Sequence, residues 1–330
     1  MTALEPSVLL AEDPAVAGAP PSRVRRPGGR TVVRILLWTG LLAGFTVTCV
    51  EKGLPTDRVV LLGWILVGLT VHAATHGWRR VCRLVLDWIP LSALLLLYDQ
   101  TRGMADTLGM PVHVRAPASV DRWLGGGTLP TVWLQHHLVA DWWKALAALV
   151  YGSHFVVTPL VLGVLWLRNR ALWARYARYV LALSAAGLAT YVFYPAAPPW
   201  LAAHEHVIPA VHRLSAAGWD VLGLPHARAL LTESQGQVNA VAAVPSLHTA
   251  FAVLTCLVLF PVARHTWQRV GLVGYALLMP LVLVWAGEHY VIDTLLGAAY
   301  AAGVVGGVAA VTAALAARRS STPGADTSPA

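Results

Sequence analysis

Eight runs of apolar residues divide this chain and decide what it can fold into: Ile35 to Val50, Val59 to His76, Leu84 to Tyr98, Leu146 to Leu167, Val180 to Tyr194, Leu247 to Phe260, Val270 to Trp285 and Val291 to Leu315. A helix needs about 20 mostly apolar residues to cross the hydrocarbon of a bilayer, and these runs are too long and too numerous to share one water-soluble core. Charged residues make up only 12% of the sequence and the mean hydropathy is +0.61, whereas a soluble domain carries roughly 25% charged residues. The reading is an all-α polytopic membrane protein, a transmembrane bundle of about eight spans over residues 31–317. The third, fifth and sixth runs are short for a bilayer, so six spans with re-entrant or interfacial pieces is the alternative count.

The net charge of +8 is spread as short arginine clusters between the apolar runs and forms no single basic patch, so no nucleic-acid partner is expected. Arg23, Arg25, Arg26, Arg30 and Arg34 precede the first run, Arg79, Arg80 and Arg83 follow the second, Arg168, Arg170, Arg175 and Arg178 follow the fourth, Arg264 and Arg269 follow the sixth, and Arg318 and Arg319 close the last. With eight spans every cluster falls on one side, and Lys and Arg near helix ends hold a loop in the cytoplasm. Both termini are therefore expected in the cytoplasm of a cell-membrane protein, with residues 1–30 as a disordered tail and 318–330 as a second tail. Asp87 is expected to pair with Arg83 or Arg80 near the same face. Cys49, Cys82 and Cys256 lie in or beside apolar runs without metal or disulfide spacing. The two long outer connections are Asp99 to Lys144 and Pro195 to Pro245, and the stretch Val120 to Trp143 reads as amphipathic helices lying in the interface.

Ionisable residues at the ends of spans are costly and ask for a functional reading. His248 stands in Val244-Pro245-Ser246-Leu247-His248 at the start of the sixth run, and His289 and Asp293 stand in Glu288-His289-Tyr290-Val291-Ile292-Asp293 at the start of the eighth. In a helix His289 and Asp293, four residues apart, share a face, so the carboxylate can hold one imidazole nitrogen and leave the other basic. Both motifs sit at outer ends of spans, which puts His248 at the same membrane depth. Helix capping and interfacial anchoring is the competing reading for each residue taken alone. Two histidines and an aspartate also allow zinc ligation, but no HExxH motif is present.

Pro245-Ser246-Leu247-His248 followed one helical hairpin later by His289-Tyr290-Val291-Ile292-Asp293 resembles the phosphatidic-acid-phosphatase type 2 superfamily. The Pro-Pro-Trp of Tyr194-Pro195-Ala196-Ala197-Pro198-Pro199-Trp200 looks like the inositol phosphorylceramide synthase-like branch. The resemblance implies a helical bundle of that type, with a catalytic core mainly over residues 146–315. It implies His289 as the nucleophile on phosphorus, Asp293 as its orienting partner and His248 as the acid for the leaving alkoxide, without metal or cofactor. The partners would be a lipid-linked phosphate substrate and an alcohol acceptor at the outer face. Ser246, Tyr290 and Trp200, within these motifs, become substrate-binding candidates.

The chain departs from the family's pattern in its cations. The phosphatases place an arginine six residues before the nucleophile, where this chain has Leu283, and their early Lys-x6-Arg-Pro motif is missing. Charge developing on a phosphoryl group needs donors or cations. Arg102, with Tyr98 beside it in Tyr98-Asp99-Gln100-Thr101-Arg102-Gly103, is the leading replacement, against the plainer reading of a snorkelling arginine; Lys144 and Arg228 follow. His154 in Tyr151-Gly152-Ser153-His154-Phe155 is either a substrate-hydroxyl contact or a structural histidine. The expected function is a headgroup phosphotransferase. A lipid or polyprenyl phosphate phosphatase and a non-enzymatic lipid transporter are the alternatives.

Overall fold

A computed structural model describes residues 29–52, 58–104, 109–236 and 239–320; of the tails expected at 1–30 and 318–330, residues 1–28 and 321–330 lie outside the described residues, whereas 29–30 and 318–320 are helical. Within the described residues the chain runs α1 (Gly29–Lys52), α2 (Arg58–His76), α3 (Trp78–Met104), α4 (Arg115–Leu124), α5 (Pro130–His137), α6 (Asp141–Arg168), α7 (Arg170–Phe193), α8 (Pro199–His204), α9 (Gly218–Val221), α10 (Pro225–Gly236), α11 (Leu247–Leu259), α12 (Thr266–Trp285) and α13 (Val291–Ser320). The apolar runs fall on α1, α2, α3, α6, α7, α11, α12 and α13, because in hydrocarbon a backbone can satisfy its own polar groups only as a helix or a closed barrel. Helices at Thr31–Cys49, Asp141–Arg168, Thr266–Trp285 and Val291–Arg318 are long and apolar enough to cross a membrane, and Val60–His76 and Leu247–Val262 are shorter apolar helices. The architecture is an all-α, multi-pass membrane bundle.

Helices that meet in lipid gain little from excluding water, so close approach of small residues and hydrogen bonds across the seam must hold them. Both occur where α11, α13 and α7 meet. Gly297 of α13 lies so close to α11 that a Cβ there would stand 2.3 Å from the Ser246 carbonyl oxygen, and Gly187 of α7 leaves room for the Leu247 side chain, 2.7 Å from where a Cβ would be. Tyr176 of α7 shares a hydrogen bond with Thr255 of α11 at 2.8 Å, and Thr190 of α7 with Tyr300 of α13 at 2.7 Å. Since α11 carries His248 and the turn before α13 carries His289, this seam sets their separation. Gly297→Ala is expected to cost about 1–3 kcal/mol through overpacking and to lower turnover together with the thermal midpoint in detergent, whereas the exposed Gly303→Ala, with nothing within 4 Å of its Cβ position, should leave both unchanged.

At the other end of the bundle Asp87 of α3 pairs with Arg170 at the start of α7. Its Oδ1 accepts from Nη2 at 2.7 Å and its Oδ2 from Nε at 2.8 Å and from Trp166 Nε1 at 2.9 Å. This corrects the expectation of Arg83 or Arg80: a fork from a neighbouring helix satisfies both carboxylate oxygens, which a single contact along α3 cannot match. The stretch expected to lie in the interface forms α4 and α5, and Trp123, Trp133 and Trp142 project outward at 78%, 52% and 67% exposure. Amphipathic indoles of this kind favour the headgroup layer.

Candidate active site

Three extended segments, too short to count as strands, build the floor of the site. His113 N donates to Pro195 O at 2.8 Å, Ala197 N to His113 O at 3.1 Å, Ala196 N to Val241 O at 2.7 Å and Ala243 N to Ala196 O at 3.2 Å. Ala196 and Ala197, the small residues of the Tyr194 to Trp200 segment, are fully buried there. The chain then enters α11, where the Ser246 hydroxyl caps the helix by accepting from Thr249 N at 3.3 Å. Ser246 N in turn donates to the backbone oxygen of Asp293 at 2.9 Å. A single backbone hydrogen bond thus ties the two sequence motifs together.

His248 on the first turn of α11 and His289 in the turn before α13 come within 5.7 Å between ring centroids, edge to face. His289 Nδ1 lies 2.9 Å from the Ala243 carbonyl oxygen. A carbonyl can only accept, so Nδ1 holds the ring proton and Nε2 keeps its lone pair. Asp293 Oδ2 stands 3.6 Å from the same Nδ1 and accepts from Tyr290 N at 2.8 Å. At 3.6 Å the carboxylate makes no hydrogen bond to the ring, but it faces an imidazolium should one form, in a buried setting where charges interact strongly. From α6, His154 places its ring 4.0 Å from that of His248, and Tyr151 stacks on His248 at 5.2 Å. One cluster therefore collects the buried His289 and Asp293 with the half-buried His248 and His154.

The remaining site candidates are placed differently. Ser246 is fully buried at the helix cap, and Tyr290 is fully buried against Ala118, Leu129 and Ala202. Tyr98 and Arg102 lie in the last turns of α3, where their side chains are outside the described residues. Lys144 pairs with Asp141 at 2.8 Å on the exposed rim, and Arg228 pairs with Asp220. Among the described residues no three His, Cys, Asp or Glu side chains group as a metal site.

Two features of the site had no motif to announce them. Asp121 of α4, fully buried, caps α13 by accepting from Ile292 N at 3.0 Å. Burial pushes its carboxyl up to about 6, the backbone N–H groups of Ile292 and Val291 pull it down, and Asp293 adds to the rise. The second is Arg213, in the segment that runs along the turn before His289. Gln135 clamps that segment: its Nε2 donates to His212 O and to Trp285 O, each at 2.8 Å, and its Oε1 accepts from His212 N at 3.0 Å. Arg213 gives Nε to Glu288 Oε1 at 2.8 Å and Nη2 to Oε2 at 3.2 Å, Ser215 Oγ donates to the same Oε1 at 2.6 Å, and the guanidinium lies 4.6 Å over the Trp200 ring. A signal for Arg213 did exist in the sequence. Glu288 directly precedes the candidate nucleophile, and a buried carboxylate requires a partner, although nothing local says which arginine supplies it.

Comparison with known proteins adds to this geometry. Residues 117–313 match the PAP2 superfamily. The chain is similar to a phosphoinositol dihydroceramide synthase of Bacteroides thetaiotaomicron, 25% identical over 265 residues that cover 78% of this chain and 79% of that protein. No solved structure matches. The family match takes in more than half of the sequence, from α4 through most of α13, and encloses both histidine motifs; the chain belongs to the PAP2 superfamily.

Proposed function

We propose that this protein is a membrane-embedded lipid phosphotransferase of eight spans, with both termini cytoplasmic and its site at the outer face, that moves a phosphate-linked headgroup to an alcohol acceptor. The observation that carries the reading is the pair of rings 5.7 Å apart, one from the first turn of α11 and one from the turn before α13, with Nδ1 of His289 committed to the Ala243 carbonyl. His289 Nε2 attacks phosphorus, the bond from phosphorus to the leaving oxygen breaks, and His248 supplies that oxygen with a proton. The acceptor hydroxyl then attacks the phosphohistidine, the P–N bond breaks, and the hydroxyl proton returns to His248. Asp293 stabilises the positive ring formed on attack. An inositol-phosphate headgroup is supported by the name of the Bacteroides relative and by its alignment over most of both chains.

The test is purified protein in nanodiscs, followed by mass spectrometry against phosphoinositides, phosphatidic acid and polyprenyl phosphates, with and without diacylglycerol or ceramide as acceptor. A headgroup-bearing acceptor from a phosphoinositide donor is the expected product. Release of phosphate to water regardless of acceptor identifies a phosphatase, and gradient-driven uptake without turnover identifies a transporter.

A further inference from the structure

We infer that Arg213 is the cation that binds the transferred phosphate, presented to it by Glu288 and Trp200. The inference rests on the phosphoryl-transfer reading above. That chemistry puts negative charge on the equatorial oxygens of phosphorus and needs a positioned donor to hold them. The position six before His289 is Leu283, an apolar and fully buried residue, so the donor has to arrive from elsewhere in the chain. The bidentate ion pair to Glu288 ties Arg213 to the residue next to His289. Arg213 is thus anchored beside His289, whose ring in turn faces that of His248 at 5.7 Å.

Its surroundings suit a ligand better than a purely structural pair. Glu288 is 8% exposed and Arg213 32%, so the carboxylate is sealed in while the arginine side chain stays partly accessible. Of the five N–H groups of a guanidinium, two go to Glu288, which leaves three for oxygens of a phosphate. Burial works against the arginine's charge, and Glu288 more than offsets it, so Arg213 is held more firmly protonated than in water. Glu288 in turn accepts from both Arg213 and Ser215, and the Trp200 ring lies 4.6 Å from the guanidinium carbon. Glu288 is accordingly a positioning residue, and Arg213 makes the contact. The Glu288 charge also lowers the net positive charge of the site, which favours a singly charged phosphodiester over a doubly charged monoester.

The experiment compares Arg213→Gln, Arg213→Lys, Glu288→Gln and the double Arg213→Gln/Glu288→Gln variant in nanodiscs. Two readouts are taken: kcat/KM on a phosphoinositide donor, and the rise in melting temperature on adding orthovanadate, a phosphate mimic. Arg213→Gln is expected to lose on the order of 10²- to 10³-fold in kcat/KM, as for removal of one charge-stabilising donor, and to lose the vanadate stabilisation. Arg213→Lys should recover part of both, because it keeps the charge without the fork. Glu288→Gln should fall by only about tenfold, and the double variant should match Arg213→Gln. If Arg213 served the ion pair alone, removing both charged partners would leave the double variant no worse than Glu288→Gln, and vanadate would stabilise all four equally; that result overturns the inference while the transfer reading stands. A wild-type protein that neither turns over any donor nor responds to vanadate removes both.

Discussion

Alanine in place of His289 is expected to abolish turnover, a fall on the order of 10⁴-fold or more, since a chemical step routed through a nucleophile does not survive its removal. The argument starts from the proton inventory of the ring. Ala243 O fixes the proton on Nδ1 at 2.9 Å, and Ala243 is itself held by Ala196 through the paired segments under the site, so the reactive Nε2 is pre-set before substrate arrives. A covalent intermediate on that nitrogen is a phosphoramidate, which acid destroys. Intact-protein mass spectrometry after a neutral or alkaline quench should therefore show wild type heavier by the phosphate-linked group during turnover, and His289→Ala unmodified. Asp293→Asn should keep the adduct but slow its formation about 10²-fold, because the carboxylate at 3.6 Å compensates the ring's new charge while the carbonyl still sets the tautomer. A fully active His289→Ala protein would falsify the nucleophile assignment.

Loss of His248 should be felt unequally by different leaving groups. An alkoxide from a lipid alcohol is a poor leaving group and needs a proton as the bond to phosphorus breaks, and a positioned general acid contributes typically 10²- to 10⁴-fold. A nitrophenolate leaves without that help. His248→Ala is thus expected to lower kcat/KM on a lipid donor by about 10³-fold and on a nitrophenyl phosphodiester by less than about tenfold. His154, 4.0 Å away and tilted by 40°, supports the His248 ring, so His154→Ala should weaken both reactions mildly and without this discrimination. Equal losses on the two substrate types in His248→Ala would remove the acid role and leave His248 as a packing residue between Tyr151 and His289.

How much of this was legible beforehand follows the range of the interactions concerned. The apolar runs named the long helices, because hydrocarbon length and backbone satisfaction act along a continuous stretch of chain. The histidine motifs were legible for a similar reason: Pro245 to His248 and His289 to Asp293 are short segments with charged or polar groups where lipid would oppose them. The Asp87 partner was not legible, because helical spacing offers only Arg83 or Arg80, while the carboxylate is satisfied by Arg170, 83 residues away. Arg102 was singled out for its place just beyond a span, and its side chain lies outside the described residues.

The sequence by itself determined a membrane bundle, the helices that compose it and the two motifs that carry the histidines, all of them consequences of local composition and period. Only the tertiary structure decided that His289 gives its Nδ1 proton to the Ala243 carbonyl, 46 residues away, that Asp121 caps α13, and that Arg213 joins Glu288 across 75 residues. These contacts depend on how closely α11, α13 and the segments connecting the long helices approach, which is set by glycine positions such as Gly297 and by the Gln135 clamp. Packing distances between elements are a property of the whole fold, and no periodicity along the chain encodes them.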